Sequence, residues 1–236
     1  GDAIMAVWGA PVAISNDARY AISCSLQMQN AVVRFNQELS RAGAPTIAMG
    51  IGLHFGEFVA GNIGSEARME YTVIGENVNM AARVESKASG DMLLVTDSMI
   101  TRASAEFLLG MTFVPIPLKG VPGKAALTSI RGLRTEDGYV LSIPAVIADK
   151  EGKITFYDPP NRSFKFVCSF ELPEGDAQLV LDAPEFTKAP YPVNVTDSGE
   201  SSFHSFTFKS VPEELLNMFR DGIVKCGSEI DWERGS

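Results

Sequence analysis

The chain holds 236 residues, 45% of them hydrophobic, enough for one large domain or two small ones with a core each. A net charge of −9 with no basic stripe argues against nucleic acid as a partner, and no apolar run reaches the length of a membrane span or has the pattern of a signal peptide. Three scattered cysteines, Cys24, Cys168 and Cys226, form neither a disulfide framework nor a metal motif, so a reduced, cytoplasmic setting is expected.

The front of the chain alternates strand and helix patterns. Ile4 to Trp8 reads as a strand. Residues 15–41 read as a helix with an apolar stripe of Ala21, Cys24, Met28, Val32, Phe35 and Leu39, capped by Ser15 or Asn16 and ended by Gly43 to Pro45. Residues 46–62 read as two strands turning near Gly56. A helix over 75–88 follows, then a strand from Asp91 to Val95, a helix over 97–105, and a closing hairpin of 111–117 with 124–131 around Lys119 and Gly123. The fold class expected is α/β, a sandwich with helices on one face of a mostly antiparallel sheet.

Gly132 to Gly138 is polar and bounded by glycine, which predicts a linker at 132–138. Charge and texture change across it. Residues 1–131 carry 10 Lys+Arg against 11 Asp+Glu, whereas 132–236 carry 10 against 18 and eight of the 13 prolines. Short alternating runs, Tyr139 to Ala148, Lys153 to Tyr157, Ser163 to Phe170, Gln178 to Leu181 and Ser202 to Lys209, predict a small, mainly-β barrel or sandwich over 139–236. Ser210-Val-Pro-Glu213 reads as a capping box opening a terminal helix with Leu215, Leu216, Phe219 and Ile223 on one face.

The most informative stretch is Gly61 to Glu85. It runs from a strand end through a glycine-punctuated arm into a helix that sets Asn79 and Arg83 four residues apart, on one face. An amide and a guanidinium so placed can grip a sugar oxygen and a phosphate together. This stretch resembles the class III nucleotidyl cyclases, the adenylate and guanylate cyclases. Three further segments agree in order: Gly1 to Pro11 looks like the family's metal-binding hairpin, Met49 to Glu57 like its central hairpin, and Leu118-Lys119-Gly120-Val121 like its late phosphate-facing strand.

The resemblance covers about residues 1–131 and implies a ferredoxin-like cyclase core. It implies attack of a ribose 3′-oxygen on the α-phosphorus of ATP, giving cyclic AMP and pyrophosphate, with two Mg²⁺ or Mn²⁺ ions. It assigns Asp2 to metal binding, Thr72 to the adenine edge, Asn79 to the ribose, Arg83 to the transition state and Lys119 to the terminal phosphates. Read as residues alone, Asp2 is equally a turn aspartate, Thr72 a strand threonine, Lys119 a solvated hairpin lysine, and Arg83 a surface partner of Glu76. His54 reads as a buried strand histidine rather than a catalyst. In the family, a strand with the first metal aspartate, two helices and part of a second strand precede the Gly-Asp turn, as does a base-reading lysine. The chain taken alone is therefore expected to be inactive. Family sites form across a dimer, so Asp2 is expected to serve a different site from Asn79 and Arg83 of its own chain.

The tail loosely resembles a PilZ-type barrel, through Leu172-Pro-Glu-Gly-Asp176 and the late Phe206-Thr-Phe208 strand. The ligand motifs of that family are poor here, since Arg131 and Arg134 are one residue too close. Three readings stay open: an adenylate cyclase whose tail modulates it, or a guanylate cyclase; a cyclase-like module that binds nucleotide and dimerises without chemistry; and a binding protein whose business is the acidic tail.

Overall fold

The computed structural model describes residues 3–65, 68–113, 115–168, 171–183, 186, 188–200 and 203–225. Asp2 and Cys226 lie outside them. Helix α1, Asp17–Arg41, is the long helix expected. Asn16 precedes it in a left-handed conformation without a side-chain cap, and Asp17 instead receives the first-turn Ala18 N–H at 2.8 Å. The expected strand from Ile4 to Trp8 is absent. Residues 3–8 are irregular, with Ile4 and Met5 exposed, because no described strand lies alongside to pair with them.

Five strands build the front sheet in the order β1 (Ile51–Leu53), β4 (Leu93–Thr96), β8 (Leu127–Arg134), β5 (Leu108–Thr112), β15 (Ile223–Lys225). The outer pairings β1–β4 and β15–β5 are parallel, and those to β8 are antiparallel. Helix α1 and helix α3 (Asp97–Ala103) cover one face. Ala18, Ile22 and Leu26 meet Leu93, Val95, Leu108 and Ile130 there. The expected stripe of α1 is thus displaced: of its members only Ala21 is buried, while Cys24 and Phe35 are exposed. Two of its members, Cys24 and Met28, line an open groove of about 980 Å³ that is walled by Trp8 and Ile14 and, from the rear of the molecule, by Thr155 and Val167. Helix α2 (Glu76–Glu85) lies on the other face, where Val84 packs with Met92, Leu94, Phe113, Leu118 and Leu127. Ahead of it, β2 (Val59–Ser65) and β3 (Arg68–Ile74) form a separate two-stranded arm, and β6 (Ile116–Pro117) with β7 (Lys124–Ala125) a second small ribbon.

Residues 132–138 are not a tether. Strand β8 continues through Arg134, and a tight turn, with Thr135 N–H donating to Gly138 O at 2.7 Å, leads into β9 (Tyr139–Ile147). The first half of β8 pairs with β4 and its last three residues with β9, so one strand belongs to both parts of the molecule. From β9 the chain closes a six-stranded barrel: β10 (Lys150–Asp158), β11 (Ser163–Cys168), β14 (Phe203–Phe208), β13 (Pro190–Glu200), β12 (Gly175–Leu181) and back to β9. Phe164, Phe166 and Phe206 fill it, with Tyr157 and Phe219 stacked at 4.8 Å across one end.

Strand β13 has no counterpart among the sequence expectations. Pro190 is its first residue and Pro192 lies within it, a composition that disfavours a strand pattern. The strand forms because Pro190 pairs only at the end of the ladder and the Pro192 carbonyl still accepts Lys209 N–H. Helix α4 (Glu213–Asp221) closes the barrel end through Leu215 and Met218, leaving Leu216 exposed. Its N-cap is Pro212, so the capping box expected from Ser210 does not form. Among the described residues no helix is long and apolar enough to cross a membrane.

Candidate active site

Helix α2 carries Asn79 and Arg83, and its seat is built from glycine. Residues 50, 52, 54 and 56 share one side of the segment that runs through β1. At Gly50, Gly52 and Gly56 a methyl group would overlap Ala88 O, Glu85 N and Asn77 Cγ respectively. The helix therefore lies directly on strand backbone, closer than any side chain would allow. Val84 is turned into the core, which turns Asn79 and Arg83 away from it, one helical turn apart.

Opposite that face, Leu118 anchors the turn of the late ribbon, with Val121 N–H donating to Leu118 O at 3.0 Å. Packing of Leu118 and Val121 against Val84 and Met80 brings Lys119 and Gly120 to α2. Gly120 has φ +69°, and a methyl group there would stand 3.2 Å from Arg83 Nη2. The guanidinium thus rests on the turn that bears Lys119. Among the described residues no carboxylate pairs with Arg83, so the reading of Arg83 as partner of Glu76 is not realised. Lys119 is exposed and likewise unpaired among them. Two cations held on adjacent elements, with no counter-charge, make a locus for a polyanion.

Asn79 is exposed on α2, and its N–H donates to Gly75 O at 3.3 Å. Thr72 lies on β3, opposite Gly61 in the arm, and is half-buried. Asp2 lies outside the described residues. Among the described residues no group of three or more His, Cys, Asp or Glu side chains is placed to hold a metal ion, so they do not by themselves compose a metal site. His204 is buried in the barrel, remote in role from any such site.

Two features escaped the sequence reading. His54 is half-buried and joins a chain of polar contacts to α2 and to β4. The sequence signal for it was available: position 54 is the one residue on the 50–52–54–56 face that is not glycine. The second is the junction behind the site. Lys153 of β10, 3% exposed, reaches the Asp91 carboxylate at 2.6 Å and donates to Gln29 O at 3.3 Å. Buried Arg131 of β8 donates to Asp91 O at 2.8 Å. Burial pushes the Lys153 ammonium below the usual lysine range, and Asp91 works against that shift. Asp91 itself sits in the left-handed region (φ +67°), in the turn between α2 and β4. Because Arg131 is 1% exposed and committed to that turn, it is not presented to a solvent-borne ligand.

Residues 1–128 match the family model of the adenylate and guanylate cyclase catalytic domain. An adenylate cyclase of Anabaena cylindrica is 35% identical over 136 residues, 55% of this chain and 26% of that protein. Adenylate cyclase 1 of Rhizobium meliloti is 33% identical over 104 residues, 43% of this chain and 16% of that protein. The chain thus spans about a quarter or less of these relatives. Among solved structures, the guanylyl cyclase Cya2 superposes with a TM-score of 0.52 at 32% identity, over 55% of this chain and 65% of that one. The match ends before β9, so it leaves the barrel outside.

Proposed function

The chain belongs to the adenylate and guanylate cyclase catalytic domain family, and from that premise we propose that it is the catalytic part of an adenylate cyclase acting in signal transduction. The observation that carries the reading is the rest of the unpaired Arg83 guanidinium on the Lys119–Gly120 turn. In the proposed reaction a bond forms between the ribose 3′-oxygen and the α-phosphorus, and the bond to pyrophosphate breaks. Arg83 meets the charge that grows on the α-phosphoryl oxygens, Lys119 holds the terminal phosphates, and Asn79 orients the ribose. Thr72 offers a hydroxyl that both donates and accepts, which suits the amino edge of adenine. Mg²⁺ or Mn²⁺, when bound, would supply Lewis-acid activation, with Asp2 as one ligand.

We further propose a homodimer. The arm supports this reading, since Val59, Met69, Tyr71 and Ile74 are exposed on a ribbon with no covering layer among the described residues. A guanylate cyclase is the second reading, favoured by the 32% identity to a guanylyl cyclase. The test is turnover of the full-length enzyme with ATP and with GTP. Arg83→Ala should lower kcat by about 10²–10³-fold. Product from GTP in excess of product from ATP would replace the first reading by the second, and unchanged turnover in Arg83→Ala would end both.

A further inference from the structure

Helix α2 must be held in register if Asn79 and Arg83 are to act together, and a bed of glycine backbone offers no register of its own. Gly50, Gly52 and Gly56 let the helix approach and Val84 packs it on the core, but none of these contacts is directional. The side chain that interrupts this bed is His54. Its Nε2 lies 3.0 Å from Asn77 Oδ1, in the first turn of α2. The orientation of that amide is fixed independently, because Asn77 Nδ2 donates to Glu57 O at 2.8 Å. Oδ1 therefore faces the ring, and His54 Nε2 is the donor. The other ring nitrogen faces β4 and α3, with Nδ1 2.9 Å from Thr96 Oγ1 and 3.3 Å from Ser98 Oγ. Those hydroxyls are 3.0 Å apart, and Ser98 Oγ donates to Phe55 O at 2.8 Å.

We infer that His54 is a positioning residue for the reaction: it pins the first turn of α2 to β4 and α3 through Asn77, and so fixes where Asn79 and Arg83 stand. It touches no reacting atom and acts only through the helix. The contacts join three elements, α2, β4 and α3, with the ring at their centre, so a side chain of equal size without polar atoms would keep the packing and lose the pin. A misplacement of about 1 Å at a catalytic group is enough to cost about 100-fold in rate. The inference rests on the proposed role of Asn79 and Arg83, and its test separates the two.

The experiment uses the full-length enzyme and measures kcat and KM for the nucleotide, together with hydrogen exchange of the α2 amides. His54→Phe and Asn77→Ala are each expected to lower kcat by about 10- to 100-fold with KM nearly unchanged. The double variant should lose less than the two single losses combined, since the two residues share one contact. His54→Gln, whose Nε2 stands close to where the histidine Nε2 does, should recover most of the rate. Exchange in α2 should quicken in the slow variants while exchange in the barrel stays as it was. Additive losses, loss of folded protein in step with loss of rate, no rescue by glutamine, or unchanged kcat would each overturn the inference. Should His54→Phe fail to fold, Asn77→Ala decides alone. If Arg83→Ala is as active as the parent enzyme, the site reading fails instead.

Discussion

The front sheet and the barrel are built to opposite economies of surface. The barrel has no free edge, since β12 returns to β9, and one continuous core of phenylalanines and aliphatic side chains fills it. The front sheet ends at β1, a strand paired on one side only among the described residues, and its apolar contacts are split into two smaller clusters by the sheet. Among the described residues, large exposed hydrophobic side chains follow the same division: from Ile4 to Ile74 there are 13, and in the barrel region only Leu216. The barrel satisfies itself, whereas the front half, where the proposed chemistry lies, presents faces that a neighbour would cover. The two halves are nonetheless joined, by β8 and by the return of β15 to β5.

That contrast predicts one-way dependence. Phe206→Ala, in the centre of the barrel, should cost about 4 kcal/mol and destabilise the front sheet with it. Leu26→Ala, beneath α1, should loosen the front and leave barrel amides protected from exchange. Equal loss of protection in both halves for both variants would erase the distinction. The seam between the halves comes next in size. Asp91→Asn strips the counter-charge from buried Lys153 and should cost about 3 kcal/mol, the low end for such a pair because Asp91 is itself half exposed. Adding Lys153→Met should restore most of that loss in urea titrations. A double variant no better than the single one would mean that Lys153 is not held by Asp91.

The smallest effect is in the front alone. Arg102 donates to both oxygens of Asp17, at 2.8 and 3.0 Å, tying α3 to the start of α1, and holds that carboxyl below the usual carboxylate range. A depressed aspartate contributes stability that is complete above its ordinary value and lost as pH falls through its folded value. Asp17→Asn should therefore lower the neutral Tm slightly and flatten its decline below about pH 4, where the two proteins converge. A decline of the same steepness in both proteins would assign the acid sensitivity elsewhere.

Much of this was legible in the sequence. The 3.6-residue rhythm and the glycines placed α1, α2 and the late ribbon within a few residues, and the spacing of Asn79 and Arg83 put them on one helical face. The alternating runs of the tail pointed to a small barrel or sandwich, and the return of β12 to β9 closes it as a barrel. What escaped depended on partners far along the chain. The face of α1 that is buried is chosen by Leu93, Val95 and Leu108, not by the helix's own most apolar stripe. The segment over 132–138 reads as a linker because its turn is polar, yet the pairing of Leu133 with Val140 makes it structural. Strand β13 hides behind its prolines, and β15 is too short to signal itself. Lys153 opens an alternating run in the sequence, and its burial comes from the packing of α1 on the barrel.

The proposal that α2 works in a site completed by a second copy is tested most directly by mixing two inactive full-length variants, Asp2→Ala and Arg83→Ala. If ligands from one copy meet the α2 face of the other, half the dimers in a random mixture carry one intact site of two, and turnover should return to about a quarter of the parent enzyme. A mixture as inactive as its components would contradict the shared site.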